Sequence, residues 1–137
     1  MLILRNDQLT LDIADEQGFA DWYVDTFMPE HLAVFCDELP RHVRRERVIY
    51  GRNKAIEFGF TDPVHQTHFV TLMWDIGPNF YTFPGYKEIV EAIDEPAEKR
   101  IDRLYEDLSW EQEKAAILGA DEKAWYPNQD QTPAGGH

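Results

Sequence analysis

Apolar residues recur along most of this chain at intervals of three and four, and no stretch alternates with the period of two that a half-buried strand requires. Phe19, Tyr23 and Phe27 stand at i, i+4 and i+8, the stripe of a core-facing helix, and predict a helix from about Asp15 to Met28. Ahead of it, Asn6 is suited to cap a short first helix carrying Leu9 and Ile13. Pro29 needs no backbone donor and fits the first turn of a further helix, in which Leu32, Phe35, Cys36 and Leu39 repeat at i, i+3, i+4 and i+7. On that stripe Cys36 reads as a small buried hydrophobe.

The segment "PRHVRRERVIYGRNKAIEFGF" is helical but less regular. Arg41, Arg45 and Arg52 project close to the line of Val48 and Ile56, a conflict that predicts a bend near Arg47 to Gly51. Gly59 suits a left-handed terminating residue, and Thr61 the cap of the next helix, with Asp62 and Pro63 in its first turn. That helix ends at Gly77 and Pro78. An aromatic loop, "YTFPGY", follows it, then a short helix with Ile89, Val90 and Ile93. Pro96 opens a helix with Ile101, Leu104, Tyr105 and Leu108 at helical spacing. Ser109 with Gln112 forms a capping box for a last helix that Gly119 closes. The pattern predicts a single compact all-α domain of about six to eight helices over residues 1–126, followed by a flexible tail, "PNQDQTPAGGH", over 127–137.

Charge narrows the functional classes. Thirteen basic and 26 acidic residues leave a net charge of −13, which repels nucleic acid and anionic membranes and suits either a basic protein partner or plain solubility. The charge is unevenly spread: residues 1–38 carry −8, residues 39–60 carry +4, and the two remaining stretches are acidic again. Internal pairing is the simplest account of that basic island. No run of about 18 apolar residues offers a membrane span, and the start of the chain lacks the pattern of a signal peptide. A single cysteine forms no internal disulfide, and the expected setting is a reducing cytoplasm.

Chemistry is sparse. Asp62, His65 and His68 are spaced at three-residue intervals and are the candidate metal ligands, with His31 and His42 available only by elimination. Zinc needs three or four ligands, and His65 falls in the apolar sector with Phe69, Leu72, Met73 and Ile76, where a core histidine is the simpler reading. The two glycines and lysine of "YGRNKAIEFG" lack the GK[ST] ending of a phosphate loop. Ser109 is the only serine and already reads as a cap, so triad hydrolysis has no nucleophile. No catalytic residue, cofactor or metal is assigned. The aromatic residues around the Gly–Pro break, Phe80, Tyr81, Phe83 and Tyr86, are instead candidates for a partner-binding surface together with Arg45 and Arg52.

The middle of the chain, roughly residues 40–108, resembles small helical proteins encoded beside type VI secretion effectors, their spike proteins and their adaptor chaperones. The likeness lies in a basic helix that runs from Arg52 into Phe58-Gly59-Phe60, the Leu72-Met73 pair, the Gly77-Pro78-Asn79-Phe80 break, and Ile101, Leu104 and Tyr105. Asn53 and Lys54 stand where that group has small apolar residues. The resemblance implies a bacterial cytoplasmic protein without enzymatic activity. Its role would be that of an accessory, co-adaptor or chaperone-like factor for a toxin effector, with the effector or its adaptor as partner. An immunity protein that neutralises a cognate, nuclease-like toxin is the alternative, and a small metal enzyme built on Asp62, His65 and His68 is the rival from another class.

Overall fold

The computed structural model describes residues 15–126. The expected Asn6-capped helix and the expected tail from residue 127 lie outside them. The described chain is all-α: α1 (Glu16–Trp22), a π-helical turn (Tyr23–Phe27), α2 (Met28–His31), α3 (Ala33–Glu38), α4 (Arg41–Glu57), α5 (Pro63–Asp75), α6 (Tyr86–Val90), α7 (Ala97–Glu106) and α8 (Trp110–Leu118). Two 3₁₀ turns, Phe80–Thr82 and Glu122–Trp125, complete the set.

Asp15 caps α1 by accepting from the Gly18 amide at 2.6 Å, and the helix then runs without interruption through the π turn into α2. Pro29 accounts for that turn, because a proline ring inside a helix crowds the carbonyl four residues back and a wider turn makes room. The Met28 amide accordingly reaches the Tyr23 carbonyl. Phe19, Ala20, Tyr23, Val24, Phe27 and Met28 are all buried by this arrangement. A new helix begins only at Ala33 rather than at Pro29. Cys36 is half-buried there, with an Arg44 guanidinium N–H directed at its sulfur (3.5 Å).

Helix α4 is unbroken, so the expected bend near Arg47 to Gly51 is absent. The conflict on its surface is resolved differently. Val48, Gly51 and Ala55 form the buried line, Ile56 is left exposed, and Arg41 and Arg45 are drawn to the α1 segment. At Gly51 a methyl group would stand 3.0 Å from Met73 Sδ and 3.1 Å from Val70 Cγ2, so glycine sets how closely α4 and α5 cross. Gly59, at φ 92°, closes α4: the Phe60 amide bonds back to the Ala55 carbonyl and the Gly59 amide to that of Ile56.

Asp62, not Thr61, caps α5, accepting from the Val64 amide at 2.8 Å with Pro63 at the first helical position. Every residue from Gln66 to Trp74 is buried, which makes α5 the central helix. Phe69 is its hub, with ring centroids of Phe58, Phe60, Phe80 and Tyr81 between 5.1 and 5.9 Å away. Each such ring taken out of water contributes about 1.5–3 kcal/mol. On the far side Ile101 and Leu104 of α7 complete the core. The Ser109–Gln112 capping box starts α8, and Ile93, expected to pack, is exposed after α6.

Candidate functional site

Several polar side chains of α5 are directed inward and hydrogen-bonded there. The Tyr23 hydroxyl lies 2.8 Å from Thr71 Oγ1, whose own proton goes to the Thr67 carbonyl, so Tyr23 is the donor. Gln66 donates to the Phe60 carbonyl at 3.1 Å. His68 Nδ1 and the Tyr105 hydroxyl of α7 share a bond of 2.9 Å. Burial first, and the neighbouring His65 second, press the His68 pKa down to about 4, so its ring is neutral at physiological pH. His65 is half-buried and its Nδ1 has no hydrogen-bond partner among the described residues. The Asp62 carboxylate is occupied as the helix cap. Among the described residues no three His, Cys, Asp or Glu side chains gather to hold a metal ion. Asp62, His65 and His68 therefore share a helix without forming a ligand set. His31 lies against the Phe27 ring and His42 is on the surface, neither beside them.

The basic island of α4 is bound to the acidic first helix. Arg41 donates to Asp25 at 2.8 and 2.7 Å and to Asp21 at 3.1 Å, and Arg45 donates to Asp21 at 2.8 Å and to Gln17. The Arg45 and Arg41 bonds hold the Asp21 carboxyl below its usual range, and Arg41 does the same for Asp25. Arg44 donates to the Leu39 and Val24 carbonyls. This is the internal clamp that the charge distribution suggested. Arg45 is spent in it, while Arg52 is half-buried and reaches Asn53 Oδ1 at 3.4 Å.

The aromatic loop is likewise directed inward. Phe80 and Tyr86, expected at a partner surface, are 0% and 1% exposed and belong to the core, where their rings meet edge to face at 5.5 Å. The reason is the Gly77–Pro78 break, which turns the loop back under α5. Burial pushes the Tyr86 hydroxyl pKa up to about 12. Tyr81 is half-buried beneath the Lys54 ammonium, which also lies over Tyr50. Phe83 is wedged beneath the end of α8, where a methyl group on Gly119 would stand 2.5 Å from its ring.

The later aromatic residues separate. Trp125 and Tyr126 join Trp74 around the Arg47 guanidinium at 5.5–5.7 Å, and Arg47 donates to the Tyr126 hydroxyl at 3.1 Å. Trp110 stays outside. It is 62% exposed, and on the same side of α8 Ile117 is 40% and Leu118 74% exposed. No residue of this face was expected as a contact surface. The i, i+7, i+8 spacing of these three residues is visible in the sequence, but spacing alone does not say which side of a helix meets the fold.

A groove of about 390 Å³ lies between α6, α7 and the start of α8, lined by Pro84, Ile89 and Leu108 with charged residues at its rim. The polar residues there make internal bonds: Glu88 accepts from the Gly85 amide, Arg103 pairs with Glu95 and Asp107, and Gln112 accepts from the Ser109 amide. No family model, curated protein or solved structure matches this chain.

Proposed function

We propose that this protein is a non-enzymatic, acidic protein-binding module that serves as an accessory, co-adaptor or chaperone-like factor for a bacterial type VI toxin effector in the cytoplasm. One observation carries the binding part of this reading. A helix capped at its start and anchored at its end presents Trp110, Ile117 and Leu118 to solvent, whereas the polar side chains of α5 are mostly turned to internal bonds. Exposed apolar groups on a rigid surface mark contact sites more often than isolated ones do. The secretion setting rests on the resemblance over residues 40–108. Of the residues that carry it, Phe60, Leu72, Met73, Phe80, Ile101 and Leu104 are buried, and Arg52, Phe58, Gly59, Asn79 and Tyr105 are not. The resemblance thus concerns mainly the scaffold. No helix among the described residues is long and apolar enough to cross a membrane.

The net charge of −13 favours a second reading, an immunity protein that meets a basic, nuclease-like toxin and associates quickly through opposite charge. Affinity capture of the tagged full chain from its native bacterium, with mass spectrometry of what stays bound, separates the two. An adaptor, with or without its effector, supports the accessory role. A toxin alone supports immunity. A preparation that instead contains stoichiometric zinc or iron removed by His65→Ala overturns both in favour of an enzyme.

A further inference from the structure

Helix α8 contributes little to the core. Of its nine side chains only Ala116 is buried. At about 100° per residue, Trp110, Ile117 and Leu118 fall within roughly 100° of arc on the side away from Ala116, with exposed Lys114 between Trp110 and Leu118. The helix is nonetheless held in place. Ser109 and Gln112 exchange two capping bonds at its start, at 2.9 and 3.1 Å. At its end Asn79 donates to the Gly119 carbonyl at 3.2 Å and accepts from the Asp121 amide at 3.0 Å. The apolar face is presented on a preformed helix, so little ordering opposes binding there.

Its surroundings are strongly acidic. Residues 106–122 contain Glu106, Asp107, Glu111, Glu113, Asp121 and Glu122 against Lys114 as the sole base. Asp107 and Glu122 are neutralised by Arg103 and Arg47, but Glu106, Glu111 and Glu113 pair with no cation among the described residues. An apolar strip with an unneutralised acidic rim is complementary to one kind of surface: apolar at its centre and basic around it.

We infer that the α8 face receives a basic amphipathic helical segment of a partner protein. Its apolar stripe lies on Trp110, Ile117 and Leu118, and its Lys and Arg side chains reach the acidic rim. This rests on the reading of the chain as a protein-binding module and specifies the surface and the partner's chemistry. Scale and charge select this occupant. Nine residues span only about 13 Å, enough for a helix laid alongside but well short of the roughly 800 Å² per side of a stable globular interface. A second copy would set acidic rim against acidic rim. Residues 127–137 contain no aromatic residue and no Leu, Ile, Val or Met, and residues 1–14 carry one base against two acids, so neither terminal segment complements the face.

The test uses the ¹⁵N-labelled full chain and two synthetic 18-residue helical peptides with the same leucine stripe, one with lysine and one with glutamate on the polar face. The lysine peptide is expected to bind and to shift the indole resonance of Trp110 together with the amides of Ile117 and Leu118. The glutamate peptide is expected to bind at least tenfold more weakly. Trp110→Ala/Leu118→Ala, at exposed positions, is expected to retain the melting temperature and weaken lysine-peptide binding at least tenfold. Shifts confined to another face, equal binding of both peptides, or unchanged binding by the double variant would each overturn the inference. So would a wild-type dimer that the double variant dissociates, or a Trp110 indole already shielded from a soluble quencher in the free chain. Affinity capture with wild type and double variant keeps the two levels apart. An adaptor or effector held by both leaves the proposed function standing and removes this surface. Peptide binding at α8 without any type VI partner does the reverse.

Discussion

Histidine 68 shows how one side chain links packing to solution behaviour. Its ring is sealed between α5 and α7 against Tyr105, with His65 and Asp102 as its charged or chargeable neighbours, and its pKa falls from 6.5 to about 4. The unfolded chain therefore takes up a proton between those values while the folded one does not. Stability contributed by the neutral ring is complete above pH 6.5 and is lost as pH falls toward 4, by about 3 kcal/mol in total. Urea midpoints measured across that window should decline in wild type more steeply than in His68→Gln, which keeps a hydrogen-bonding group and does not titrate. Parallel slopes would mean that the ring is solvated. Gly51 makes a steric case of the same kind. Gly51→Val should lower stability by about 1–3 kcal/mol, read by thermal melting, because Met73 and Val70 already stand at contact distance.

Helices in this chain are joined by two unlike devices. Between α1 and α4 the junction is an exposed network of Arg41, Arg45, Asp21 and Asp25. Such pairs are screened by salt and contribute little singly. Arg41→Ala should shift the melting temperature slightly at low ionic strength and not measurably at high salt. Arg100 of α7 is the opposite case. It is 2% exposed, lies over the Phe60 ring at 4.2 Å, and donates to the carbonyls of Phe58, Val90 and Glu95. One guanidinium thus closes the end of α4, the end of α6 and the turn before α7. Its fork of donors has no substitute in lysine. Arg100→Ala should lower stability by about 3 kcal/mol or more by leaving buried carbonyls unpaired, and Arg100→Lys should recover only a minor part. Chemical denaturation of the pair measures both.

Across the whole chain the net charge of −13 acts on encounter rather than on fold. Association with a basic partner should slow steeply as ionic strength rises, while dissociation changes less, because steering acts before contact and the apolar strip acts after it. Stopped-flow mixing with the captured partner at several salt concentrations tests this. An on-rate indifferent to salt would place the contact away from the acidic surface. The helix that carries the apolar face is pinned by Asn79 and Phe83 from the loop beneath it, as the proposed binding role would require.

Element types were largely legible in the residue pattern, because caps, prolines and the 3.6-residue period act over a few positions. The Ser109–Gln112 box, the stop at Gly59 and the helix over α5 follow from such local rules, and the cap of α5 differs by one residue, Asp62 for Thr61. The basic island could be matched to acidic neighbours from charge alone, since α1 and α4 carry opposite signs. What local patterning does not contain is which side of a stripe meets another element. Phe80 and Tyr86 read as surface anchors yet are buried, because the Gly77–Pro78 turn folds their loop beneath Phe69. Trp110, Ile117 and Leu118 recur at helical spacing yet face solvent, because Ala116 is the only α8 side chain the fold buries. Burial depends on which surfaces meet, and that is settled by contacts between residues far apart in the chain.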